Sequence, residues 1–268
     1  MKELIYFPSS VIEHQSLNFL ASSPLEQFAI IQYIPIHFGG LYFSFTNSSL
    51  YMGLVVGLLI LWFSFVTKNG GKLIPTRWQS IVEMIYEFVI SLVEEQIARG
   101  GKMYFPLIFT TFIFILFSNL IGMIPYAFTT TSHLMITFGL SVSLFIGITL
   151  IGITKNGLHF FSLFLPPGAP IALAPFLVAI ELVSYSFRAI SLGVRLFANM
   201  MAGHTLVKIL AGFGFDMMQQ GGLLAVASII PIAVIFALTG LEIAVAFLQA
   251  YVFTILLCIY LNDAINLH

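Results

Sequence analysis

Charge is what this chain has least of. Of its 268 residues only 8% are Asp, Glu, Lys or Arg, whereas 59% are hydrophobic and 28 are phenylalanine. Soluble domains carry about a quarter charged residues, so lipid rather than water has to cover most of this surface. Cysteine is nearly absent: Cys258 stands alone, which excludes an internal disulfide framework and a cysteine-built metal cluster. A formal net charge of −1 offers no electrostatic footprint for a nucleic-acid partner. Also missing are a GxxxxGK[ST] phosphate loop and a GxGxxG turn, so no nucleotide, cofactor or metal chemistry is expected within the chain. No basic stretch followed by an apolar core opens the sequence, so a secretory signal is not expected either.

What is present is long apolar sequence. Backbone groups in lipid must be satisfied internally, which leaves a helical bundle or a closed β-barrel. Barrel strands alternate apolar and polar residues; LYMGLVVGLLILWFSFV (50–66) does not. The expected fold class is therefore an all-α integral membrane protein with about five membrane helices. Spans are expected at 49–67, 104–124 and 134–153, each near the ~20 residues that cross ~30 Å of hydrocarbon. Between the first two, 77–97 reads as an amphipathic helix with Ile81, Ile85, Phe88, Leu92 and Gln96 on one side. Pro75 and Thr76 fit its start, and Gly100-Gly101 its stop.

The C-terminal half runs helical and apolar over 171–211 and again over 222–262. At 1.5 Å per residue each would be ~60 Å long, about twice the hydrocarbon thickness. No turn cluster lies between Val178 and Arg188, and Pro231 alone interrupts the second stretch. Two long, strongly inclined helices are the expectation. Lys68, Lys72, Arg77, Arg99, Lys102 and Lys155 crowd the two connections on one side, while 125–133 and 212–222 carry no Lys or Arg. With five spans this puts the N-terminus outside and the C-terminus inside. There is no internal repeat of the kind that marks many secondary transporters.

Ionisable groups at membrane depth cost about 2.5–3.5 kcal/mol each on insertion scales, so those in the long helices are functional candidates. They are Glu181, Arg188, Arg195 and His204 in the first and Glu242 in the second. Arg195 cannot shed its proton; it has to face a water-filled cavity or a carboxylate, or else serve a packing ion pair. Arg188 lies about 20° away on the same face, nearer the inner end, and suits a headgroup contact or a structural ion pair. Glu181 lies ~21 Å before Arg195 on roughly the same stripe. Without a fixed cation beside it, a carboxylate at that depth can take up and release protons. His204 and Glu242, toward the outside, could relay protons as a pair or simply satisfy each other. Gln249, seven residues past Glu242, could reach the Arg195 guanidinium or act as packing glue. An acid inside, an arginine in the middle and a His/Glu pair outside is the pattern of two aqueous inlets separated by a fixed positive charge. Such a pattern conducts only with a mobile carboxylate supplied by another subunit.

SLGVRLFANMMAGH (191–204), FSNLIGMIPY (117–126), ALTGLEIAVAFLQAY (237–251) and CIYLNDAINLH (258–268) resemble subunit a of F-type ATP synthase. The resemblance is closest to mitochondrial, plant-type chains and runs from about Ser23 to the C-terminus. It implies an N-terminal extension or leader at 1–22, a single membrane domain over 23–268, and a place in the mitochondrial inner membrane. The N-terminus would then face the intermembrane space and the C-terminus the matrix. The family's subunit is a stator without catalysis of its own, against which a ring of c subunits turns. The resemblance implies that Arg195 is the arginine facing the ring, and that Asn199, His204, Glu242 and Gln249 line the outer half-channel. Glu181, Tyr185 and Asp263 would line the matrix half-channel, and Asn119 matches a motif asparagine. Partners implied are the c-ring, the peripheral-stalk subunit b (against the 77–97 helix), other Fo subunits, membrane lipid and a dimeric complex. Two other classes remain open from residues alone: a proton-coupled secondary transporter and a structural membrane subunit of a respiratory complex. Haem binding is disfavoured because His133, His159 and His204 lie on separate segments.

Overall fold

The computed structural model describes residues 25–266, apart from 36, 39–40, 43, 69, 73, 98–99, 125–126 and 165–172. The expected extension at 1–22 lies outside the described residues. Among the described residues seven α-helices follow a short ribbon: α1 (Asn47–Thr67), α2 (Arg77–Gln96), α3 (Phe105–Gly122), α4 (Leu134–Asn156), α5 (Ala174–Gln220), α6 (Gly222–Ala227) and α7 (Ile229–Ile265). Five helical stretches among them are long and apolar enough to cross a membrane, as the sequence predicts, and the last two are the long ones. The ribbon, which the sequence reading did not foresee, pairs β1 (Gln32–Ile34) with β4 (Phe45–Thr46). It also pairs β2 (His37–Phe38) with β3 (Leu41–Tyr42), both antiparallel.

Local chemistry sets several boundaries. Thr46 caps α1 by accepting from the Ser49 backbone N–H, while Ser49 Oγ accepts from the Thr46 N–H at 3.0 Å. This reciprocal capping satisfies two of the donors a helix start leaves open. Pro106 occupies the first turn of α3, where its missing N–H costs nothing. The second long stretch breaks at Ser228, three residues ahead of Pro231. A proline has no N–H to donate and its ring presses on the carbonyl four residues back, here that of Ala227. Consequently the expected 222–262 helix is divided into α6 and α7, and the expected 171–211 helix continues to Gln220.

The described residues form two compact units, one of residues 30–201 with 241–266, the other of 202–240 with 25–29. In the larger unit α3 is central, with half of its span buried against 6% for α1. Its phenylalanines meet aromatics on both sides: Phe117 against Trp62 of α1 at 5.2 Å, and Phe105 and Phe112 against Tyr86 and Phe88 of α2 at 4.8 and 5.7 Å. The residues of helix α2 that are fully buried, Val89, Leu92 and Val93, all lie in its second half. Trp78, Ile81 and Met84, in the first half, remain exposed. Within the smaller unit Gly214 lies close to Pro231: a Cβ there would stand 3.5 Å from the ring.

Helix α5 approaches α4 through Gly193. A Cβ at that position would come within 3.0 Å of the Thr137 carbonyl and 3.1 Å of the Phe138 Cα, both backbone atoms that cannot step aside. Nearby, the Ser141 hydroxyl donates to the Ala189 carbonyl. This close approach requires a residue without a side chain at position 193. Gly193→Val is expected to destabilise the fold by about 1–3 kcal/mol through overpacking, read as a lower unfolding midpoint in detergent. Gly53→Val on α1, where nothing lies within 4 Å, should leave that midpoint unchanged.

Candidate functional site

With Gly193 against α4, the buried face of α5 carries Tyr185, Ala189, Leu192, Leu196 and Met200. Arg195 is two residues on from Gly193, about 200° around the helix, and is exposed on the far side. It forms no ion pair or hydrogen bond with any of the described residues. Asn199, one turn later, donates from Nδ2 to Gln249 Oε1 at 2.8 Å. Gln249 therefore bridges α7 to α5 through Asn199, not through the Arg195 guanidinium that the sequence reading considered. Its own Nε2 is buried and has no hydrogen-bond partner among the described residues.

Arg188 behaves differently from Arg195. It is half-buried, and its guanidinium lies 3.3 Å from Glu181 Oε1 and 3.5 Å from Asp263 Oδ2. It also sits 5.9 Å over the centre of the Tyr260 ring. The expectation that Glu181 has no fixed cation beside it thus gives way to a shared arginine. The reason is helical spacing: seven residues separate Glu181 from Arg188, two turns on one face. Asp263, for which the resemblance implied a place in the matrix half-channel, joins the same arginine across 75 positions of chain.

The remaining candidates separate by element. Tyr185 is buried and turned toward α4, its hydroxyl 3.0 Å from Thr149 Oγ1 and its ring 4.6 Å from that of Phe145. Glu242 is half-buried on α7, on the face that carries Gln249 seven residues later. His204, also half-buried, belongs to the smaller unit. Asn119 is fully buried; its Nδ2 donates to the Ala246 carbonyl at 3.2 Å and its Oδ1 accepts from Thr131 Oγ1 at 2.8 Å. Sequence reasoning missed the company Asn119 keeps. Thr129, Thr130, Thr131 and Ser132 are all buried, although they read as an ordinary polar connection. The available signal was the four consecutive hydroxyl residues directly after an apolar span. Among the described residues no group of three or more His, Cys, Asp or Glu could hold a metal ion.

These observations define a class: a multi-pass helical membrane protein whose membrane-crossing helices carry most of their charged residues on the two long ones, one arginine neutralised within the chain and another left facing outward. A protein-family model described as ATP synthase A chain matches residues 49–262, and the chain belongs to that family. It is similar to ATP synthase subunit a of Marchantia polymorpha, 66% identical over 252 residues that cover 93% of this chain and 100% of that one. It is also similar to subunit a of Oenothera berteroana (61% identical, covering 92% of this chain and 90% of that one). The red alga Chondrus crispus has a subunit a that is 53% identical over 94% of this chain and 99% of its own.

If Arg188 is the internal counter-ion, removing it alone should harm the fold more than removing it together with a carboxylate. Arg188→Gln is expected to lower the unfolding midpoint of the detergent-solubilised protein. Arg188→Gln with Asp263→Asn should recover part of that loss, and strictly additive losses would contradict the pairing.

Proposed function

We propose that this chain is the proton-translocating stator subunit of the Fo sector in a mitochondrial inner-membrane ATP synthase. It carries no catalytic site of its own. Two offset aqueous half-channels lead to a ring of c subunits, and Arg195 stands between them. Asn199, His204, Glu242 and Gln249 serve the outer inlet; Glu181, Tyr185 and Asp263 serve the matrix outlet. The N-terminus faces the intermembrane space and the C-terminus the matrix, in keeping with the Lys/Arg-rich connections on one side. The exposed first half of α2 is suited to the peripheral-stalk subunit b, and the assembly to a dimeric complex surrounded by lipid.

One observation carries this reading: Arg195 is exposed and unpaired among the described residues, whereas Arg188, seven positions earlier, holds two carboxylates. A cation kept clear of its own chain's acids is available to a carboxylate that arrives from elsewhere. At an effective dielectric near 20 and ~4 Å that attraction is about 4 kcal/mol. This favours the ionised carboxylate as it passes, yet permits it to leave and take a proton on either side. The same positive charge repels a proton that tries to cross directly from one inlet to the other. Flow is therefore tied to movement of the ring, and the ring's rotation to ATP synthesis.

Arg195→Ala is expected to abolish ATP-driven proton pumping in membrane vesicles that contain the assembled complex. Arg195→Lys should fail as well, since a compact ammonium lacks the broad, forked donor set of guanidinium. Retained coupled pumping in either variant would overturn the mechanism. Glu242→Gln is expected to slow transport about a hundredfold, the lower end for losing a positioned proton-transfer group, while the complex stays assembled.

A further inference from the structure

Helix α7 is gripped twice through its backbone. Asn119 of α3 donates from Nδ2 to the Ala246 carbonyl at 3.2 Å, and Asn156 of α4 donates from Nδ2 to the Ala264 carbonyl at 2.8 Å. The two carbonyls are eighteen residues apart, a whole number of turns, so both lie on the same side of α7 about 27 Å apart along its axis. The Ala246 carbonyl is in the helix interior and keeps a second lone pair open after its i+4 bond, so a side-chain amide adds without breaking the helix. That of Ala264 lies in the last turn of α7, where carbonyls lack an intrahelical partner, and Asn156 supplies a donor to it. The Asn119 amide has only one workable orientation. The Ala246 carbonyl can only accept, and Thr131 Oγ1, at 2.8 Å, supplies the donor to its oxygen.

The polar side chains of α7 are distributed around these two points. Glu242 and Gln249 lie four residues before and three residues after Ala246, within about 60° of it. Asp263 is the residue immediately before Ala264. Gln249 and Asp263 also hydrogen-bond across to α5, at Asn199 and Arg188. Alanine at both clamped positions lets the neighbouring helices come close, since Ala246 and Ala264 are essentially fully buried. Gly152 adds to this at the inner end, where a Cβ would stand 3.2 Å from that of Ala264.

We infer that Asn119 and Asn156 are positioning residues for proton translocation. Each pins α7 in rotation and height, Asn119 at mid-length for Glu242 and Gln249, Asn156 at the C-terminal end for Asp263. Neither touches the transported proton. The inference rests on the half-channel reading above, and it adds a division of labour: the outer clamp serves one inlet and the inner clamp the other.

The test uses the assembled complex in sealed vesicles, with proton flow driven by a fixed voltage and pH varied on one side at a time. Asn119→Ala is expected to shift the half-saturating proton concentration on the Glu242 side by about fivefold, the weight of one net hydrogen bond. The Asp263 side should be unaffected. Asn156→Ala should do the reverse. A role in packing alone would lower the amount of active complex and scale the flow equally at every pH. Equal scaling, or equal shifts on both sides in both variants, would overturn the inference. Should Asn119→Ala fail to assemble, Thr131→Val decides: it keeps Asn119 but removes the donor that orients its amide, and a smaller shift confined to the Glu242 side is expected. No shift there would overturn the outer clamp. Loss of the half-channel reading is recognised separately, by coupled pumping that survives Arg195→Ala.

Discussion

A permanent charge at hydrocarbon depth has to be answered by an opposite charge or by water, and in the larger unit Arg188 takes up two carboxylates. Glu181 comes from its own helix and Asp263 from α7, so one guanidinium neutralises acids contributed by two elements. The consequence for Arg195 follows from helix geometry. It lies on almost the same azimuth as Arg188, about 10 Å along α5, yet the chain offers it no described counter-ion. Two arginines with similar sequence surroundings are thereby sorted into a structural role and an outward-facing one. The sorting depends on the register between α5 and α7, which the Asn199–Gln249 bond holds at a second height.

That register is itself built from small residues and amides. Gly193 lets α5 close on α4, and the buried alanines at 246 and 264 let α3 and α4 close on α7. In lipid there is little hydrophobic difference between one helix face and another, so close packing and interhelical hydrogen bonds decide which faces meet. The amides of Asn119 and Asn156 are at their most useful here. A buried amide that loses its partner cannot turn to water, which makes each clamp costly to slip.

Much of this could be read from residues alone, and the divide has a physical origin. Membrane helices announce themselves by run length, because hydrocarbon thickness imposes about twenty apolar residues. The two long helices were legible because no turn-forming cluster interrupts them, and only the break at Ser228 and the extension to Gln220 went unforeseen. Arg195 stood out because a charge in an apolar run is rare. Its difference from Arg188 was legible only in part: a structural ion pair was one expectation for Arg188, but the partner Asp263 is 75 residues away and brought close by tertiary packing alone. The buried Thr129–Ser132 turn was hidden for a related reason. Hydroxyl residues in a connection look solvated until one knows that Asn119 waits beneath them. The β-ribbon before α1 escaped because its strands are two or three residues long, too short for any period to show.

A chain built this way is unfinished in isolation. Arg195 and Asn199 are exposed on α5, and between them the surface is otherwise apolar or small, with Val194 and Ala198 also exposed. Lipid tails could cover such a face sterically but offer nothing to a guanidinium, whose burial without a partner is among the more expensive arrangements in a membrane. A snorkelling route to the headgroups is poor, because Arg195 lies twenty-one residues from one end of α5 and twenty-five from the other. The remaining solutions are water or a carboxylate on another protein surface. Water alone would leave a leak, because a wet, open path admits ions as readily as it solvates the arginine. In the proposed mechanism a passing carboxylate meets the charge, seals the gap with its own helix, and departs only when a proton compensates it. On the proposed reading, the incompleteness of this one face is what ties proton entry and exit to the motion of its partner.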